Sequence, residues 1–327
     1  MCNIISAMRV LEVKNLNLGF QCDEIFYQAL FDVSFSLEKG QMLALVGESG
    51  CGKTMSAMSI LGLIPKTARI TSGEILFKGE NLLDKAQSKM QNIRGSQIAL
   101  IPQDPMTSLN PLYTVGDQLL EVIKIHQGLE GKQAQEKALE AFDIVQIPAA
   151  KSRLNNYPHE FSGGMKQRAI IAMALACNAE ILIADEPTTA LDVTIQAQIM
   201  KLLYEIKQSQ GTSILLITHD LALVKENADE VAVMYAGRIV ENAPNQEFFS
   251  NPCNPYSQAL LNSIPSVRGK KLDTIQGQPP TLSQRINGCK FNPRCRYCMD
   301  ICTAEIPPLV EFNSGHSCAC FYSTSKI

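Results

Sequence analysis

Residues 47 to 54, GESGCGKT, set Gly47, Gly52, Lys53 and Thr54 at the spacing G-x-x-x-x-G-K-[ST], with Gly50 between them. Small residues there let successive backbone N–H groups converge on phosphate oxygens at a helix N-terminus, whose dipole also favours negative charge. Lys53 is placed to reach the β- and γ-phosphates of a nucleotide and Thr54 to hold Mg²⁺. Glu48, Ser49 and Cys51 complete the loop. Farther along, ILIADEP ends an apolar run in two carboxylates. Asp185 is suited to bind Mg²⁺ directly or through water, and Glu186 to orient and polarise an attacking water. Alone, that pair is a strand capped by solvated acids; after a phosphate loop it becomes hydrolytic equipment.

Two further groups of residues need a ligand. Ser162, Gly163 and Gly164 open the apolar helical pattern of FSGGMKQRAIIAMALA, which makes a second anion-binding helix N-terminus in a chain whose nucleotide is already served. Near the end, GCKFNPRCRYCMDIC and HSCAC hold six of the eleven cysteines. Cys295 and Cys298 form C-x-x-C, and His316, Cys318 and Cys320 converge in sequence, a pattern compatible with tetrahedral zinc. Cys51 stands at a helix N-terminus, a position that lowers a thiol pKa, although a tolerated small residue is the simpler reading.

These residues require elements to carry them. Met42 to Val46 reads as a buried strand feeding the phosphate loop, and the apolar residues three and four apart after it read as a helix. Nearly sixty residues of helical periodicity, about 104–160, separate Gln103 from Phe161. After residue 240 the composition turns rich in Pro, Asn, Ser and Gly, which marks a turn-rich extension. The expected domains are therefore 1–240, with a helical subdomain at 104–160, and 241–327. With 327 residues, 46% hydrophobic and 19% charged, the chain is long enough to bury a large core. A net charge of -3 argues against bulk electrostatic attraction to nucleic acid and leaves room only for a local basic patch. The first residues lack a signal-peptide pattern, and no 18-residue apolar run occurs, so the expectation is a cytoplasmic protein whose clustered thiols stay reduced.

The order GESGCGKT, IPQDP, FSGGMKQR, ILIADEP, ALD and ITHD resembles the ATP-binding cassette family across residues 10 to 240. The resemblance implies an α/β P-loop fold, with a mixed sheet core, a helical subdomain and a small irregular cysteine-rich extension. It makes Gln103 the glutamine near Mg²⁺ and the attacking water, and His219 the switch histidine at the γ-phosphate. Ser162, Gly163 and Gly164 would contact ATP held by a partner subunit, and Asp192 would lie at the dimer interface. An aromatic residue should stack on adenine: Phe20 fits the register and Tyr27 is the alternative. The signature departs from LSGGQ at Phe161 and Met165, a form familiar in the peptide-import branch.

The tail also resembles that branch, in NPYSQALLNSIP, IQGQPP and GCKFNPRCRYCMDIC. The family pattern of four cysteines falls on Cys289, Cys295, Cys302 and Cys320, which implies a [4Fe-4S] cluster, with zinc or metal-free thiols as alternatives. Lys290, Arg294 and Arg296 are expected to offset the charge of such a cluster. The resemblance implies a motor subunit for dipeptide or oligopeptide uptake, peripheral on the cytoplasmic membrane face. Its expected partners are a second, paralogous ATPase, two permease subunits and, indirectly, an extracytoplasmic peptide-binding protein. Nickel or metal-chelate import is the second reading. A nucleic-acid-linked ATPase and a regulatory iron-sulfur ATP sensor are the remaining ones.

Overall fold

The computed structural model describes residues 8–189, 191–264, 275–313 and 315–324; Ala190 of the ALD motif and residues 265–274 of the tail lie outside them. In chain order the strands are β1 (Arg9–Cys22), β2 (Ile25–Glu38), β3 (Met42–Val46), β4 (Ala68–Phe77), β5 (Glu80–Asn81) and β6 (Ile98–Ile101). They continue as β7 (Ile181–Asp185), β8 (Ser213–Thr218), β9 (Glu230–Tyr235), β10 (Arg238–Pro244), β11 (Val310–Asn313) and β12 (His316–Cys318). The chain divides into two compact units, Met1–Asp84 with Ile217–Ile327, and Lys85–Leu216.

In the first unit, β1 pairs antiparallel with β2 and β4, in the order β2-β1-β4-β5. Leu11, Val13, Leu16 and Leu18 of β1 are all fully or nearly buried. Val13 and Leu16 are an odd number of residues apart and would face opposite sides of a regular pleat; the register shift between them turns both inward. The unit's other strands run β11-β12-β10-β9-β3. β3 and β9 are parallel, and the remaining pairs are antiparallel. Every residue of β3 is buried, the pattern of a strand covered on both faces.

The extension belongs to this unit and continues its strands, because β12 pairs with β10 through Glu241↔Cys318 and Asn242↔Ser317. Three rings dock it further: Tyr235 from β9, Tyr256 from the helix Pro255–Asn262, and Phe291, with centroids 4.5 to 5.3 Å apart. Such pairs add stabilisation beyond the area they bury. Glu241, fully buried, supplies the polar anchor. Its carboxylate accepts from the Cys253 and Asn254 N–H groups at 2.7 and 2.8 Å and lies 2.9 Å from His316 Nε2.

In the second unit β6 and β7 are parallel. The helix Gly163–Ala176 packs against β6, and the helices Val115–Gln127 and Gly131–Ile144, both within the expected helical stretch, pack against it and against each other. Val115, Leu119 and Ile123 form one buried stripe at helical spacing, while Ala134, Ala138, Ala141 and Phe142 form another. Thr114 and Ser162 cap two of these helices by accepting from the N–H groups of Asp117 and Met165. Gly116 is required for close approach, since a Cβ there would stand 2.3 Å from the Leu154 carbonyl oxygen.

Replacing Glu241 by Ala should lower unfolding free energy by at least about 3 kcal/mol, because it strands several buried donors at once. Urea denaturation of purified protein measures this, and an unchanged midpoint would contradict the anchor role.

Candidate functional site: a phosphate loop and a carboxylate

The first unit builds the phosphate loop between β3 and the helix Lys53–Leu61. Gly47 and Gly52 have φ of 152° and 113°, outside the range ordinary side chains favour. A Cβ on Gly47 would lie 2.2 Å from the Met234 carbonyl oxygen, and one on Gly52 would lie 2.7 Å from Leu30. The loop therefore lies against its own strands through backbone alone. Gly50 faces open space, with nothing near its Cβ position, which leaves room for a ligand to approach the chain. Lys53 is buried, and its ammonium donates to the carbonyls of Gly47 and Glu48 at 2.8 and 3.1 Å. Thr54 follows in the first helical turn. These residues fit a nucleotide phosphate with its Mg²⁺: glycine cradle, helix N-terminus and a cation are all present.

Cys51 is buried, and desolvation pushes its thiol pKa up, so it does not carry the reactive thiolate that a helix N-terminus alone favours. Phe20 and Tyr27 are direct cross-strand partners on β1 and β2, both half-buried. Directly opposed residues project from the same face, so the two aromatic candidates stand together. His219 is exposed immediately after β8, and Asp220 caps the helix Leu221–Asn227 by accepting from Ala222 and Leu223.

The second unit holds the carboxylates. Asp185 ends β7 and is buried. Glu186 follows with φ 47°, a left-handed backbone that is uncommon for a residue with a long side chain. Its Oε2 accepts from Gln103 Nε2 and from Thr189 Oγ1, each at 3.0 Å. The Gln103 link joins residues 83 positions apart and fixes the direction of the carboxylate. Thr189 carried no sequence signal beyond its nearness to the acid. Ser162 and Asp192 cap the helices Gly163–Ala176 and Val193–Gln210, and both are exposed. A Cβ on Gly164 would come within 2.9 Å of Ile195, which ties the signature turn to the helix after Asp192.

In the extension, Cys289, Cys295, Cys302 and Cys320 line one cavity of about 430 Å³. Burial raises the Cys295 thiol and pushes Cys289 up to about 11. Cys298 is exposed, whereas Cys318 is fully buried and pairs with Glu241 across β12 and β10. Among the described residues, Glu241, Cys253 and His316 form the only group of three such donors within 4.8 Å of one another. None of the four cavity thiols belongs to that group. Glu241 already holds His316 and two backbone N–H groups.

Of the expected neutralising cations, Arg294 is committed elsewhere. Its guanidinium grips Glu48 of the phosphate loop in a two-pronged pair, Nη1 to Oε2 at 2.6 Å and Nη2 to Oε1 at 2.9 Å. Lys290 donates to the Ile286 carbonyl, and Arg296 lies over the ring of Tyr297. Tyr256 adds a second hold on the same loop residue, because its hydroxyl accepts the Glu48 N–H at 2.9 Å. Nothing local in the sequence announces either contact, since more than 200 residues separate the partners.

The family profile described as "ABC transporter" matches residues 30–189, and that described as "Oligopeptide/dipeptide transporter, C-terminal region" matches residues 240–302. A probable peptide ABC transporter ATP-binding protein of Sinorhizobium fredii is 49% identical, with 97% of this chain and 96% of that protein covered. The oligopeptide transport ATP-binding protein OppD of Escherichia coli is 46% identical, covering 97% and 94%. The dipeptide transport ATP-binding protein DppD of Escherichia coli is 45% identical, covering 96% and 97%. Among solved structures, the dimeric bacterial ABC transporter cassette MJ0796 is similar with a TM-score of 0.65 and 26% identity, covering 72% of this chain and 98% of that one. The chain belongs to the ABC transporter family, as an ATP-binding protein carrying the oligopeptide/dipeptide transporter C-terminal region.

Proposed function

We propose that the chain is the ATP-hydrolysing motor subunit of an importer for dipeptides and oligopeptides, working from the cytoplasmic membrane face. The observation that carries this reading is the match to the oligopeptide/dipeptide C-terminal region at 240–302, directly behind the cassette in the same chain. It favours peptides over nickel. No helix among the described residues is long and apolar enough to cross a membrane; in this reading permease partners supply the pore. Leu112 and Tyr113, ahead of the helix Val115–Gln127, are 80% and 57% exposed and offer an apolar surface to such a partner. Exposed Ser162 and Asp192 are consistent with a second cassette completing the signature contact, a paralogous chain in our reading. An extracytoplasmic binding protein then delivers peptide to the permeases.

In this reading Gly47, Gly50 and Gly52 admit the phosphates to the loop backbone, Lys53 carries positive charge to the β- and γ-phosphates, and Phe20 stacks on adenine with Tyr27 beside it. Thr54, Gln103 and Asp185 would hold Mg²⁺, which would supply positive charge against the phosphates when bound. Glu186 accepts the proton of the attacking water, and the bonds from Gln103 and Thr189 aim its Oε2 beforehand. His219 contacts the γ-phosphate and orients the same water. The domains remain assigned as 1–240, with a helical subdomain at 104–160, and 241–327.

For the extension we propose a [4Fe-4S] cluster on Cys289, Cys295, Cys302 and Cys320. Their shared cavity supports it. The Cys289 and Cys295 thiols, raised by burial, need a positive centre to ionise, and the iron atoms would supply that charge when bound.

Glu186→Gln should lower ATP hydrolysis at least about 100-fold and trap an ATP-bound assembly. Affinity isolation of that variant from membranes in MgATP should recover a second cassette and permease chains. Undiminished hydrolysis would overturn the role of Glu186, and recovery of DNA-repair proteins or ribosomes without permeases would overturn the importer reading. Anaerobically purified protein should contain iron and acid-labile sulfide, and Cys302→Ala should lose both. Colourless protein with stoichiometric zinc would reject the cluster.

A further inference from the structure

The polar groups of Glu48 are held from two directions. Its carboxylate is gripped by Arg294 and its N–H is taken by the Tyr256 hydroxyl, both from the segment beyond residue 240. Its carbonyl accepts from Lys53 Nζ at 3.1 Å. An unbroken chain of contacts therefore runs from the extension through Glu48 to the phosphate-binding lysine. Sequence spacing counts the Glu48 N–H among the donors that converge on phosphate, whereas the structure spends it on Tyr256.

The grip is built. The Arg294 side chain is only 6% exposed and that of Glu48 23%, so water competes little for the pair. The guanidinium is itself fixed: Nε donates to the Gln276 carbonyl at 2.9 Å, and Nη1 lies 3.3 Å from the Tyr235 hydroxyl. Its carbon stands 5.8 and 5.9 Å from the ring centroids of Tyr235 and Phe291. The bond with Glu48 holds the guanidinium pKa above its ordinary value despite burial. A planar fork matched to a carboxylate fixes direction as well as distance, which a lysine ammonium cannot do.

We infer that Arg294 is a positioning residue of the nucleotide site: from the C-terminal extension it sets the phosphate loop through Glu48, with Tyr256 as its second hold. The inference rests on the reading that this loop binds ATP. It assigns the extension a role in ATP affinity that is independent of any cluster in the cysteine cavity. Loss of the fork frees the Glu48 side chain and lets its carbonyl, and with it Lys53, leave the position that receives phosphate. The defect should lie in nucleotide binding, since Glu186, Gln103 and Thr189 are untouched.

The test is steady-state ATP hydrolysis and nucleotide binding by the full chain in its assembled complex. Arg294→Gln should raise the KM and Kd for MgATP about tenfold, with kcat changed less than about twofold. Arg294→Lys should recover only part of this. Glu48→Gln should match Arg294→Gln, and the double variant should be no worse than either single one. Tyr256→Phe keeps the ring and removes only the hydroxyl, so it reports on the second hold even where an Arg294 variant folds poorly; it should raise KM by about threefold. A folded Arg294→Gln protein with wild-type KM and Kd, or additive losses in the double variant, would overturn the inference. Failure of the wild-type protein to bind MgATP at all would overturn the ATP reading itself and is a separate result.

Discussion

The phosphate loop depends on a contact made by the far end of the chain. A loop rich in glycine has little intrinsic preference for one conformation, and here two of its glycines take backbone angles that side chains avoid. Something outside the loop must select that shape. The Arg294–Glu48 pair and the Tyr256 hydroxyl do so from the extension, while Lys53 closes the loop from within. The extension is itself docked on the first unit: β12 joins β10, the rings of Tyr235, Tyr256 and Phe291 pack together, and buried Glu241 collects donors from two segments.

The second unit solves a different problem, that of aiming an acid. Glu186 sits in a backbone conformation that costs free energy and is stabilised by what surrounds it. Bonds from Gln103 and Thr189 converge on one oxygen, so the carboxylate is oriented before any water arrives. The signature turn uses a comparable economy of parts. Ser162 starts its helix by accepting from Met165, and Gly164 permits the approach of Ile195.

Much of this was legible in the sequence, for physical reasons. Local chemistry leaves local traces: the glycines of 47 to 52, the apolar run ending in Asp185, and the Ser-Gly-Gly turn ahead of a helix all announce themselves by spacing. Buried helical stripes such as Val115, Leu119 and Ile123 follow from periodicity. Contacts between distant segments leave no such trace. Arg294 looked like a cation for the neighbouring cysteines, and only the folded chain turns it toward Glu48. The grouping of four cysteines at one cavity, with exposed Cys298 and buried Cys318 outside its lining, likewise needed three dimensions. Phe20 and Tyr27, alternatives in one dimension, are neighbours once β1 and β2 pair.

ATP hydrolysis by this chain, in the proposed function, drives peptide through a membrane partner. Uptake of a labelled dipeptide or short oligopeptide by proteoliposomes containing the purified complex, with ATP on the side of this chain, measures that coupling directly. Accumulation that requires hydrolysable ATP is the predicted result. Rapid ATP hydrolysis by an intact complex, with no uptake of any dipeptide or oligopeptide in a mixed-sequence pool, would contradict it.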